Sequence, residues 1–138
     1  MAYYKVLDHT ADLGIRVWGI SLQELFSNAA SAMYEQITDI DRIQPSMSKK
    51  VKAQGLDRDE LLKNWLSELL YYLHTKDIVF CSFKIDNLTD TGINSIAAGG
   101  EISRDIHVLK HEIKAITFHN LKIEESNNRL ETDIIFDI

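Results

Sequence analysis

Asp8-His9-Thr10-Ala11-Asp12 gathers two carboxylates, an imidazole and a hydroxyl within five residues. The run lies between two apolar stretches, Tyr3-Tyr4-Lys5-Val6-Leu7 and Leu13-Gly14-Ile15-Arg16-Val17-Trp18, and both read as strands. Side chains at a strand–strand junction can converge on one point, and loops held by rigid strands often carry function. Asp and Thr also favour turns through bonds to their own backbone, so taken alone the run is read first as a turn.

A second group of oxygen donors stands at the other end of the chain. Residues 130–138 alternate, with Leu130, Thr132, Ile134, Phe136 and Ile138 on one face and Glu131, Asp133, Ile135 and Asp137 on the other. Chain ends are usually polar and frayed, whereas this one reads as a strand tied into a sheet. With Ile138 as the natural terminus, its carboxylate and Asp137 offer hard oxygens at a fixed place. Whether Asp8 or Asp12 meets them is left open by the residues themselves. If one does, each like-charge pair at ~4 Å costs on the order of 4 kcal/mol at an effective dielectric near 20. Protonation or a cation must relieve that. All-oxygen ligation selects calcium or magnesium over zinc or copper.

The elements that position these residues are legible as two helices among strands. Ser21 with Glu24 three residues on forms a capping box, followed by a stripe of Leu22, Leu25, Phe26, Ala29, Ala30, Met33 and Ile37. Asp57 with Glu60 opens a second helix, with a stripe of Leu61, Leu62, Trp65, Leu66, Leu69, Leu70 and Leu73 that reads as core. Strands are expected at 47–53, 79–87, 93–101, 113–123 and 130–138. In the 79–87 strand, Val79, Cys81, Phe83 and Ile85 are expected on one face and Phe80, Ser82, Lys84 and Asp86 on the other. Cys81 is thereby read as a small core residue. No internal repeat, low-complexity tract or linker is evident. The fold class is α+β: a mixed, largely antiparallel sheet, or sheets, packed with two main helices in a single domain, 1–138.

Composition narrows the function. At 138 residues, one domain with a sizeable core is expected. Cys81 is the lone cysteine, so no internal disulfide forms, which fits a reducing compartment. The first residues lack the apolar core of a signal peptide, and no stretch approaches a transmembrane span. The protein is therefore read as cytoplasmic and not membrane-bound. Its net charge of −6 argues against nucleic-acid binding as the main role. The one basic cluster, Lys49, Lys50 and Lys52, reads as protection of a strand edge, with Lys50 and Lys52 facing out.

Several stretches together resemble one family, the archeases, over almost the whole chain. These are the Asp-His-Thr-Ala-Asp run with a strand ending Trp18-Gly19, and Trp65-Leu66-Ser67-Glu68-Leu69-Leu70-Tyr71. Gly99-Gly100-Glu101, Glu112-Ile113-Lys114-Ala115-Ile116-Thr117-Phe118-His119 and the ending Ile134-Ile135-Phe136-Asp137-Ile138 follow in order. The resemblance implies a non-enzymatic protein cofactor of the RtcB-type RNA ligase. That ligase joins 2′,3′-cyclic phosphate or 3′-phosphate ends to 5′-hydroxyl ends, using GTP and manganese through a guanylylated histidine. The archease promotes guanylylation and multiple turnover, in tRNA splicing or RNA repair. By the same resemblance, Asp12, Asp137 and Ile138 form a metal site. Calcium is the expected ion, with magnesium or manganese as substitutes. Lys114 falls in a family motif, and the resemblance implies it as a residue that contacts the ligase. Phe118 departs from the family, standing where a tyrosine is common, and no function is carried onto Arg104-Asp105-Ile106-His107.

Two rival readings rest on the residues alone. Asp8, His9 and Asp12 resemble the makings of a metal-dependent phosphoesterase, a divalent ion activating water. The chain offers no evident nucleophile–base pair and no glycine-rich phosphate loop. His107 and His111 have the i, i+4 spacing of zinc ligands on a helix, but Val108-Leu109-Lys110 lacks the glutamate of His-Glu-x-x-His.

Overall fold

The computed structural model describes residues 3–7 and 12–138. Eight strands and two α-helices follow the order β1 (Tyr4–Leu7), β2 (Leu13–Gly19), α1 (Leu22–Ile37), β3 (Met47–Gln54), α2 (Arg58–Lys76), β4 (Ile78–Leu88), β5 (Gly92–Glu101), β6 (Ala115–Ile116), β7 (Glu124–Ser126) and β8 (Arg129–Asp137). One short 3-10 turn, Ile40–Arg42, follows α1. The strands form two sheets. A five-stranded sheet runs β1-β2-β8-β6 with β7 also on β8, and a three-stranded sheet runs β3-β5-β4. Every strand pairing is antiparallel, so the α+β expectation holds in its antiparallel form.

Both helices begin where their capping boxes predict. The Ser21 hydroxyl accepts from Glu24 N–H and the Glu24 carboxylate accepts from Ile20 N–H. Asp57 and Glu60 repeat this arrangement, with Leu56 N–H in the place of Ile20. The likeness goes further than capping. Asn28 donates to the Trp18 carbonyl and Asn64, at the matching position, to the Gln54 carbonyl. Gly19 and Gly55 stand where a Cβ would come within 2.6 Å and 2.5 Å of the Leu25 and Leu61 nitrogens. Each strand thus delivers its chain into a helix through the same Gly–apolar–cap–x–x–Glu–Leu–apolar–x–Asn unit. This is a local repeat that the sequence reading missed.

The predicted helix stripes are the core. Leu25, Phe26, Ala29, Ala30, Met33 and Ile37 of α1 are buried, as are Leu61, Leu62, Trp65, Leu66, Leu69 and Leu70 of α2; Leu22 and Leu73 sit at its margin. Each helix packs on strands of both sheets, and among the described residues no strand of one sheet lies against the other. Two polar links cross this core. Tyr34 donates its hydroxyl to the Leu69 carbonyl, which joins the helices. Trp65 donates Nε1–H to Ser95 Oγ, which in turn donates to the Val51 carbonyl. Buried polar atoms are thereby satisfied, as a dry core requires.

Three strand expectations are corrected. Between Phe80 and Ser82 the register of β4 on β5 shifts by a bulge, which reverses the alternation. Phe80 is therefore fully buried against Tyr34 and Tyr72, while Cys81 is only half-buried. The 113–123 strand shrinks to Ala115–Ile116, because beyond Thr117 the backbone bonds to side chains and turns instead. Finally, β8 begins one residue earlier, as part of a β7–β8 hairpin whose Asn127 and Asn128 both adopt positive φ.

Candidate functional site

The metal-site calls sit at one end of the five-stranded sheet. The β2–β8 register pairs Leu13 with Phe136, two core residues. Continued by one residue, it sets Asp12 beside Asp137, both exposed and both on the face opposite the core. Directly opposed residues in such a ladder have Cβ atoms about 4.5–5.5 Å apart, and like charges there repel. On the other side of β8, Ala115 pairs with Asp137, and Lys114 N–H donates to the Asp137 carbonyl at 2.7 Å. Asp137 is thus tied to β6 on one side of β8 and, on the other, lies one residue past the last β2–β8 pair. Ile138 follows directly, its side chain 40% exposed.

The chemistry of this donor set can be stated. The Asp12 and Asp137 carboxylates are hard oxygen donors. That suits a hard divalent cation rather than a nitrogen- or sulfur-seeking one. Among the described residues, no group of three or more His, Cys, Asp or Glu side chains is arranged to hold a metal ion. Asp8, His9 and Thr10 lie outside the described residues, and with them most of the phosphoesterase reading.

The histidines fall elsewhere. Residues 102–114 form an irregular strap, so the His107–His111 spacing has no helix behind it. His107 accepts from Ser103 N–H at Nδ1 and reaches the Arg42 carbonyl through Nε2. His74 bonds the Ile113 carbonyl. The strap is fastened to the end of α1: Lys110 N–H donates to the Ile37 carbonyl, and its ammonium pairs with Glu35 and Asp39. Burial opposes the charge on Lys110, but the two carboxylates outweigh it and hold the ammonium above its usual range. Between strap and helix ends lies a cleft of about 560 Å³, lined by Ile37, Leu73, His74, Arg104, His111 and Ile113 among others. The strap then runs from the cleft directly into Lys114 and the tip.

Phe118 is 47% exposed with the Lys63 ammonium 5.1 Å from its ring centroid. The sheet face that carries Asp12 and Asp137 continues as a row of paired charges. Arg16 makes a two-point bond with Asp133 at 2.7 and 3.1 Å, and Arg129 stacks on Trp18 while pairing with Glu131. The first of these, a cross-strand register pair, had no sequence signal beyond opposite charge.

No helix among the described residues is long and apolar enough to cross a membrane. Comparison with known proteins gives a consistent result. Residues 4–138 match the Archease protein family. The chain is 32% identical to protein archease of Methanosarcina acetivorans, over 98% of this chain and 95% of that one. It is 34% identical to protein archease of Sulfurisphaera tokodaii over the full length of both. The solution structure of protein 1598 of Methanobacterium thermoautotrophicum superposes with a TM-score of 0.85 at 35% identity, covering all of both chains. The crystal structure of an archease of Thermotoga maritima, titled a possible chaperone, shares the fold at a TM-score of 0.64 and 20% identity, over 97% of this chain and 96% of that one.

Proposed function

The chain belongs to the archease family, and from that premise we propose that it is a protein cofactor of an RtcB-type RNA ligase, promoting guanylylation and multiple turnover of that enzyme. The observation that supports the reading is the β2–β8 register, whose last pair, Leu13 with Phe136, is followed on each strand by an acidic residue, Asp12 and Asp137, with Lys114 N–H on the Asp137 carbonyl. In this reading Asp12, Asp137 and the Ile138 carboxylate hold a divalent cation, calcium first. Such an ion neutralises charge and, at a phosphoryl centre, assists by stabilising developing negative charge.

The residues of the chain do the rest. Asp137 is held by its pairing with Ala115 and by the Lys114 N–H bond to its carbonyl. Lys114 offers an exposed ammonium next to the acidic pair for a carboxylate or phosphate of the ligase–nucleotide centre. The net charge of −6 favours approach to a basic, RNA-binding surface, and association weakens as salt rises.

The test is RNA ligation by a cognate ligase under multiple-turnover conditions, with and without this protein. Asp12→Ala and Asp137→Ala are expected to abolish stimulation while the circular dichroism spectrum stays native. A short C-terminal extension should impair it too, since it displaces the carboxylate. Equal stimulation by the extended and native forms would remove Ile138 from the site. Phosphoester turnover by the protein alone would replace the reading with the hydrolase one.

A further inference from the structure

The exposed face of the three-stranded sheet carries charge opposite to that of the molecule. Lys50 and Lys84, on the two edge strands, are both in register with Ile96 of the central strand. Lys52 lies one step along, in register with Asn94, which in turn faces Asn87. Ser48 and Ser82 flank Ala98 on the other side. The three lysines, both asparagines and both serines are exposed, and both helices pack on the opposite, apolar face of this sheet. None of the three lysines forms an ion pair among the described residues. One carboxylate, Asp86, stands in the bulge at the rim.

Edge protection explains lysines on β3 and β4 singly. It does not require that they share a face, or that amides and hydroxyls stand beside them on it. We propose that this face binds the sugar–phosphate backbone of single-stranded RNA. Lysines about 7 Å apart along β3 and about 10 Å apart across the sheet suit successive phosphates of an extended strand. Asn and Ser groups between them donate to phosphate and sugar oxygens, the contacts that position a strand without reading it. No aromatic side chain lies at these positions, so bases are not stacked and binding is independent of sequence. The choice of RNA over DNA rests on the proposed function. Binding itself does not.

Fluorescence anisotropy of the full-length chain with a labelled single-stranded oligoribonucleotide tests this without any ligase. The molecule's negative charge weakens binding, so the titration starts at about 20 mM salt. The logarithm of affinity against the logarithm of salt should fall with a slope of about −2, from three phosphate contacts at about −0.7 each. The triple variant Lys50→Gln/Lys52→Gln/Lys84→Gln should bind at least about ten-fold more weakly with a shallower slope, while Lys76→Gln, off this face, binds like the parent. Unchanged binding by the triple variant, or none by the parent at low salt, overturns the proposal. So does competition by polyglutamate as effective as by RNA, which would assign the face to an acidic protein. Ligase stimulation, measured separately, is unaffected by any of these outcomes.

Discussion

At the scale of single residues, burial decides what a side chain can do. Tyr34 is fully buried, and burial pushes its phenol well above the usual range. Cys81 moves the same way for the same reason, which argues against a reactive thiolate. Tyr3, half-buried beside Tyr4, Glu35 and Asp41, is pushed up to about 12. In each case the folded chain keeps a proton that the unfolded chain releases at lower pH. Stability is therefore intact below the unfolded value and falls as pH rises beyond it. Unfolding followed by circular dichroism should show urea midpoints that are level below the cysteine range and drop steadily above about pH 10, where unfolded tyrosine ionises. Tyr34→Phe should flatten that drop while costing about 1 kcal/mol at neutral pH through the lost bond to Leu69. The sequence displayed the acidic pair but not the pairing. Asp12 and Asp137 are separated by nearly the whole chain, and only a register between β2 and β8 brings them together. Their alternation against Leu13 and Phe136 was readable in advance. Their mutual register was not.

At the scale of elements, what was legible was local. Both helices announced themselves through capping boxes and stripes, because those signals span one or two turns. The repeated entry unit carried an equally local signal, Glu-Leu-apolar-x-Asn after a capped Gly, at Gly19 to Asn28 and again at Gly55 to Asn64. Its meaning is geometric: in both copies glycine admits the first helical turn close to the strand end. Gly19→Ala and Gly55→Ala should each lower unfolding free energy by about 1–3 kcal/mol, since the colliding atoms are backbone. Gly92→Ala, where a Cβ meets only Thr89 Oγ1 at 3.8 Å, should leave it nearly unchanged in the same denaturant titration. The β4 bulge and the short β6 escaped notice for the converse reason. Phe80 is drawn into the core by Tyr34, far off in sequence, together with Tyr72, and Ile123 N–H is taken by the Asp59 side chain rather than by a neighbouring strand.

At the scale of the whole molecule, two sheets share one pair of helices, and β8 is the strand on which the larger sheet depends. It bonds β2 along its length on one side and β6 and β7 on the other. Native-state hydrogen exchange should find the β8 amides from Thr132 to Phe136 exchanging only through global unfolding, and the β1 amides exchanging far sooner. The α+β class with largely antiparallel pairing was foreseen, while the division into two sheets was left open. The order β1-β2-β8-β6 was not, since nothing local in a strand names a partner a hundred residues away.

That order has a consequence for how the protein is made. A ribosome delivers β1 and β2 first and β8 after every other strand. Throughout translation the β1–β2 hairpin waits with one hydrogen-bonding edge of β2 open, and β6 has no strand to join. The larger sheet closes only once β8 has left the exit tunnel. Asp137, which lies at the end of β8, is therefore placed later than the rest of the larger sheet.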